Sequence, residues 1–334
     1  MDLTKKRILL TGAHGFLGGY VHDQLLAHGA MKSNIRCPRI GELDLRVTEN
    51  CARAVKDIDI VIHLAANVGG IGYNIAHPGS LFYDNAKMGI ELIEQSRVHG
   101  IQKFVQVGTV CAYPKTPPAI PFREEHLWEG YPEESNAAYG IAKKLLVVQL
   151  QAYRAEYGFN GIYLLPTNLY GPRDNFDPRS SHVVPALVRR FVEAVRESLP
   201  EVTVWGTGTA SREFIYADDA ALGIVLAAMR YDKPEPVNLG SSTEIDISQL
   251  AKIIAQKTGF SGRIIWDATK PDGQPRRKLD VSKAEREFGF VSRVAFEDGI
   301  TKTVEWYLNQ TGVVHSNILN TLLVTEIPRN EALG

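Results

Sequence analysis

Two short stretches hold most of the reactive side chains. In YPEESNAAYGIAKK, residues 131–144, Tyr139 and Lys143 stand four apart, and on a helix that spacing puts both on one face. An ammonium beside a phenol favours phenolate, so the pair is expected to lower the tyrosine pKa from its reference of about 10. The phenol could then exchange a proton with a carbonyl near neutral pH. In VGTVCAYPK, residues 107–115, Thr109 and Cys111 lie two apart at the end of an apolar run. A cysteine there reads either as a small buried hydrophobe or as an acid–base thiol. What meets it decides between the two.

The elements that must position these groups follow from the pattern around them. Apolar runs at 7–11 (RILLT), 59–65 (DIVIHLA), 103–107 (KFVQV) and 161–165 (GIYLL) read as strands buried on both faces. Helical spacing of apolar residues covers 16–28, 80–99 and 137–157 between them. Such alternation implies an α/β fold, a doubly wound, Rossmann-like parallel sheet with right-handed crossovers. Its ligands would sit outside the carboxyl ends of the strands. Residues 171–181 (GPRDNFDPRSS) read as loop, and a helix is expected from 183 to about 195. Shorter pieces follow to about residue 309. The expected division is a dinucleotide-binding domain over 1–171, a smaller α/β lobe over 172–314 with chain crossings between them, and a tail over 315–334 of no readable role.

Composition narrows the class. The chain has 334 residues, 44% hydrophobic and 22% charged, with a formal net charge of −1. That balance points away from a nucleic-acid or membrane-surface partner. The first seven residues are charged and the apolar run behind them is short, so no secretory signal is expected. Nor does any apolar run approach a membrane span. Three widely spaced cysteines, Cys37, Cys51 and Cys111, argue against a disulfide framework or a zinc cluster and fit a reducing compartment. The expectation is a cytoplasmic enzyme without a metal.

LLTGAHGFLGGY, residues 9–20, follows the first strand and opens the first helix. Gly12, Gly15 and Gly18 form GxxGxxG, the spacing for a tight turn, a close pyrophosphate and close helix–strand packing, with the helix amino terminus facing the anion. The segment NIRCPRI, residues 34–40, holds Arg36 and Arg39 and no acid. Arginine there suits a 2′-phosphate, so NADP(H) is expected over NAD. Asp44 is the candidate for the adenine edge.

Together, the glycine loop and the Tyr139–Lys143 pair resemble the short-chain dehydrogenase/reductase superfamily. The resemblance implies a hydroxyl ending the fourth strand as a third catalytic member, which here is Thr109. Five further blocks sharpen it: AANVGGIGYN (65–74), PTNLYGPRDNF (166–176), SHVVPALVRRF (181–191), VWGTGTASREFIYADD (204–219) and KPDGQPRRKLD (270–280). Over about residues 6–310 the chain resembles the GDP-4-keto-6-deoxy-mannose 3,5-epimerase/4-reductase family. That implies epimerisation by Cys111 and His182, followed by NADPH-dependent reduction at C4 with Tyr139 as proton donor. A thiol and an imidazole bracket neutral pH, as exchange of the protons alpha to a ketone requires. Cys37 and Cys51 are read as packing.

Further site residues follow from the same resemblance. Cofactor contacts are implied for Gly12, His14, Gly15, Phe16, Leu17 and Gly18, and for Leu64, Ala65, Ala66, Val107 and Gly108. Lys143, Pro166, Asn168, Leu169 and His182 complete that set. Arg190, Trp205 and Arg212 are implied to hold the GDP portion of the sugar nucleotide, with Asp280 nearby and Lys270 beside them. A homodimer is implied through the helices at 80–99 and 137–157. The chain departs from the family at Thr109, where serine is common, at Val110, where a small hydroxyl residue is usual, and at His14, where an arginine can meet the 2′-phosphate. The same machinery would serve another GDP-linked 4-keto sugar, a 3,6-dideoxy-hexose or a 6-deoxy-heptose.

Overall fold

The computed structural model describes residues 1–270 and 272–311; the tail at 315–334 lies outside them. The first half runs β1 (Ile8–Thr11), α1 (Phe16–Ala27), β2 (Ile35–Arg36), α2 (Thr48–Val55), β3 (Ile60–His63), α3 (Ile71–Ala76), α4 (Pro78–Val98), β4 (Lys103–Val107), α5 (Ala137–Tyr157) and β5 (Gly161–Pro166). Every residue of β1, β3, β4 and β5 is buried. Period-two alternation sorts them between two cores. Ile8, Leu10, Ile60, Ile62, Val105 and Val107 face one core with Tyr20, Val21 and Leu25 of α1. Leu9, Val61, Phe104 and Tyr163 face the other, with side chains of α2, α4 and α5. A one-residue slip of any strand would exchange the two sets, and because both faces are covered, the loops and polar strand ends fix the register.

The second half supplies β6 (Asn168–Tyr170), α6 (Val183–Arg196), β7 (Glu201–Trp205), β8 (Ser211–Tyr216), α7 (Ala217–Arg230), β9 (Val237–Leu239), β10 (Glu244–Asp246), α8 (Ile247–Thr258), β11 (Arg263–Asp267), β12 (Arg276–Arg277), α9 (Ser282–Phe288) and α10 (Phe296–Thr311). Six strands form the main sheet in the order β2-β1-β3-β4-β5-β9, all paired in parallel. The doubly wound fold expected from the sequence is the one observed. Strand order reverses between β1 and β3, and a crevice opens there at the strands' carboxyl ends.

The smaller lobe is built on β8, which pairs with β6, β10 and β12, and on the β7–β11 pair. Helices α6, α8 and α10 close a third core around Phe191, Leu250 and Ile300. The chain crosses back between the two units. Helix α7 packs on α1, β9 extends the main sheet, and Ala284, Phe288 and Phe290 join the core beneath α1. Asp219 fastens one crossing, since its Oδ2 accepts from Ser292 Oγ at 2.7 Å and from the N–H groups of Arg293 and Val294 at 2.9 Å.

Candidate active site

A cleft of about 1110 Å³ lies between the sheet's carboxyl edge and the smaller lobe. Its floor is the loop between β1 and α1. A Cβ on Gly18 would lie 2.0 Å from the carbonyl oxygen of Gly12, so only glycine lets α1 begin this close to the turn. Helix α1 starts without a side-chain cap and without an acid in its first turn. Its first N–H groups therefore stay available to an anion. With Arg39 on the same wall, these features fit a phosphorylated dinucleotide.

The adenosine end differs from expectation. Arg36 does not line the cleft; its Nη1 donates to the carbonyls of Arg53, Ala54 and Lys56 at 3.3, 2.9 and 3.0 Å and so closes the carboxyl end of α2. Asp44 also lies off the cleft wall, its carboxylate gripped by Arg46 at 2.7 Å. That pairing holds the Asp44 carboxyl below its ordinary range, through the Arg46 side chain first and its N–H second. Arg46, which the sequence reading passed over, does line the cleft. His14 lines it too, with Nε2 at 3.0 Å from the carbonyl oxygen of Cys37.

Thr109, Cys111, Tyr139, Lys143 and His182 all open into this one cleft. Thr109 stands two residues beyond β4 and caps a single 3-10 turn, its Oγ1 accepting from the Cys111 N–H at 3.1 Å. Its own O–H remains free to donate, and it lies near enough to the Tyr139 phenol to oppose the rise in that group's pKa. Helix α5 lies directly on this turn: a Cβ on Gly140 would come within 2.4 Å of the Cys111 carbonyl oxygen. The glycine beside Tyr139 thus brings the phenol and the thiol into one site. His182 is the residue before α6, with no capping bond from its ring. Its loop is tied to the loop after β3 by the Gly70 N–H, which donates to the Ser180 carbonyl at 3.0 Å.

Electrostatics revise the expectation for the tyrosine. Burial raises the Tyr139 pKa, with Cys111 adding to the shift and Thr109 opposing it. The phenol therefore stays protonated at neutral pH, a proton donor from the start. Burial pushes the Lys143 ammonium down to about 8. His182 is accessible from within the cleft, yet the walls that enclose it lower its pKa and favour neutral imidazole.

The outer part of the cleft is cationic and aromatic. Trp205 is 49% exposed, with the Arg190 guanidinium carbon 5.7 Å and the Lys270 Nζ 5.6 Å from its ring centroid. Lys270 itself lies outside the cleft wall. Arg212 is buried and donates to the carbonyls of Ser211 and Asp272. Its pKa is pushed down to about 10 by burial and then by the charge of Arg277, with Cys111 opposing. Asp280 does not reach this cleft. Its carboxylate accepts from the N–H and hydroxyl of Ser282 at the start of α9 and lines a separate depression. Sequence reasoning missed Asp272, Gln274 and Arg277, all in the cleft wall, although the block 270–280 contained them.

Among the described residues no group of three or more His, Cys, Asp and Glu could hold a metal ion, and no helix is long and apolar enough to cross a membrane.

The NAD dependent epimerase/dehydratase family model matches residues 8–240. GDP-L-fucose synthase 1 of Arabidopsis thaliana is 38% identical over 305 residues, 90% of this chain and 93% of that protein. Among solved structures, a GDP-6-OMe-4-keto-L-xylo-heptose reductase from C. jejuni matches with a TM-score of 0.85 at 27% identity, covering 92% of this chain and 99% of that one. A GDP-L-fucose synthetase from Naegleria fowleri bound to NADP matches with a TM-score of 0.82 at 28% identity, covering 94% and 97%.

Proposed function

The chain belongs to the NAD dependent epimerase/dehydratase family and, within it, to the GDP-L-fucose synthases, and from that premise we propose that it epimerises GDP-4-keto-6-deoxy-D-mannose at C3 and C5 and reduces it at C4 to GDP-L-fucose. The observation that supports this best is the meeting of Cys111 and His182 with Thr109, Tyr139 and Lys143 in one cleft. A reductase needs only the last three. The thiol and imidazole add the means to invert carbons alpha to the ketone.

Thr109 and Tyr139 direct their O–H groups at the C4 oxygen and stabilise the enolate as its charge develops. One of Cys111 and His182 removes the proton alpha to the ketone and the other returns one from the opposite face. The glycine loop, with Arg39 suited to the 2′-phosphate, would hold NADPH, which when bound would supply the hydride for C4. Tyr139, protonated at neutral pH, gives its proton to the C4 oxygen in that step. Lys143 keeps its charge below about pH 8 and supports the phenolate left behind. Trp205 offers a stacking face to the guanine, and Arg190 and Arg212 meet the diphosphate.

Incubation with NADPH and GDP-4-keto-6-deoxy-mannose tests the reading. The expected result is stoichiometric NADPH consumption and a product identical to GDP-L-fucose by NMR. Reduction to a product with unchanged C3 and C5 centres would overturn the epimerase half. The likeness to the heptose reductase, together with Val110 in the cleft wall, favours a second reading, a 4-keto-heptose substrate, which the same assay with that sugar would reveal.

The finer expectations on assembly and location also belong here. We propose a homodimer through α4 and α5, which pack together and leave Phe82, Tyr83, Ile90 and Val148 exposed. A cytoplasmic location suits a catalytic thiol, since Cys111 must stay reduced.

A further inference from the structure

Cys111 is held by a chain of buried polar side chains that the mechanism above leaves unused. Strand β12 runs parallel to β8 with Arg277 opposite Arg212, so two guanidinium groups project from adjacent strands at this edge of the cleft. Arg277 is 7% exposed, and its Nη1 donates to Cys111 Sγ at 3.6 Å. Its Nε donates to Gln274 Oε1 at 3.0 Å. Gln274, 4% exposed, in turn donates from Nε2 to the carbonyls of Pro114 and Lys115 at 3.1 and 2.8 Å. Those carbonyls belong to the loop that follows the Cys111 turn. The guanidinium is thereby fixed relative to the sulfur from two sides.

We propose that Arg277 is a catalytic residue of the epimerisation step, holding Cys111 as the proton-abstracting thiolate and aiming its sulfur into the cleft, with Gln274 as its positioning residue; this rests on the reading that Cys111 exchanges protons with the sugar. The thiolate, not the thiol, is the base, and a charge-assisted N–H bond from a guanidinium stabilises negative sulfur more than a neutral donor would. In the step itself, the C–H bond alpha to the ketone breaks, an S–H bond forms, and the electron pair moves onto the C4 oxygen as enolate. His182, neutral at rest, takes a proton from solvent to become imidazolium and then gives it to the carbon from the other face. Its enclosure makes that imidazolium the stronger acid. Cys111 returns its proton to solvent, and the pair is restored.

The test uses the full chain with Arg277→Gln and Arg277→Lys. Alkylation of Cys111 by iodoacetamide at neutral pH, read by peptide mass spectrometry without any sugar, reports the sulfur directly. Arg277→Gln is expected to slow it about tenfold or more, with Arg277→Lys restoring part of the rate. NADPH binding should be unchanged in both, which shows that they fold. With the sugar, kcat for exchange should fall while KM changes little. Wild-type alkylation rates in Arg277→Gln would overturn the proposal. So would a loss confined to KM, which would make Arg277 a substrate-binding residue. If the wild-type chain shows no exchange on the sugar although the alkylation contrast holds, the reading of the sugar falls while the coupling of Arg277 to Cys111 stands.

Discussion

At the scale of single residues, the proposed function divides the labour between two neighbouring pairs, and that division is what would separate this chain from a plain reductase. The Tyr139 pKa is raised by burial and the Cys111 charge, which suits it to the acid role in the proposed reaction, with Cys111 and His182 proposed for the carbon acids. Changes at either pair should therefore have different signatures. Cys111→Ser or His182→Asn should cut solvent exchange at C3 and C5 by about 10²-fold or more. In Cys111→Ser, dinucleotide affinity should stay within about twofold, since that change leaves the glycine loop and the implied cofactor contacts in place. Tyr139→Phe should instead abolish hydride transfer. Equal loss of exchange and of dinucleotide binding in the cysteine variant would contradict this assignment. At this scale the sequence was most legible where a motif fixes a backbone position, as at Gly18, Thr109 and Tyr139. It was least legible for Arg36 and Asp44. β2 is two residues long, and nothing in NIRCPRI told which arginine would turn to the carbonyls of α2.

Between residue and molecule, the loop from β6 to α6 carries the clearest pH signature. Asp174 lines the cleft and is 8% exposed; its Oδ1 accepts from the Asn175 N–H, while its Oδ2 has no hydrogen-bond partner. Burial raises its pKa from 3.8 to about 7. The folded state therefore keeps the proton that the unfolded chain loses, and folding stability falls as pH rises between those two values. Asp174→Asn removes that loss. Its free energy of unfolding should match wild type near about pH 4, gain on it towards about pH 7 by up to about 4 kcal/mol, and then run parallel. A constant difference across that window would show that Asp174 is ionised in the fold. The long helices and central strands were readable from periodicity, with α5 and β4 bounded at the residues expected. α3 was not, because a six-residue helix opening on glycines has too few turns to show a period. The contact between Arg277 and Cys111 joins residues 166 positions apart, a pairing no local pattern contains.

For the whole molecule, the interleaving of the two units decides how the site is assembled. The cleft wall draws on β1, the loop after β3, β4 and β5 from one side and on α6, β7, β8 and β12 from the other. The return of α7 and β9 to the main sheet makes these walls parts of one packed body. The proposed dimer would add a second copy at α4 and α5, covering Tyr83 and Val148, on the far side of α5 from Tyr139 and Lys143. Light scattering on the purified chain should return twice the monomer mass; a monomer at micromolar concentration would contradict the proposed interface.

The central claim is that one cleft performs both exchange and reduction, and one reaction tests it most directly. Purified protein, NADPH and GDP-4-keto-6-deoxy-mannose are combined in D2O and the product is read by NMR. The expected product is GDP-L-fucose carrying deuterium at C3 and C5. A reduced sugar with protium at both positions would contradict it, leaving Tyr139 as a reductase acid and Cys111 without a role in the chemistry.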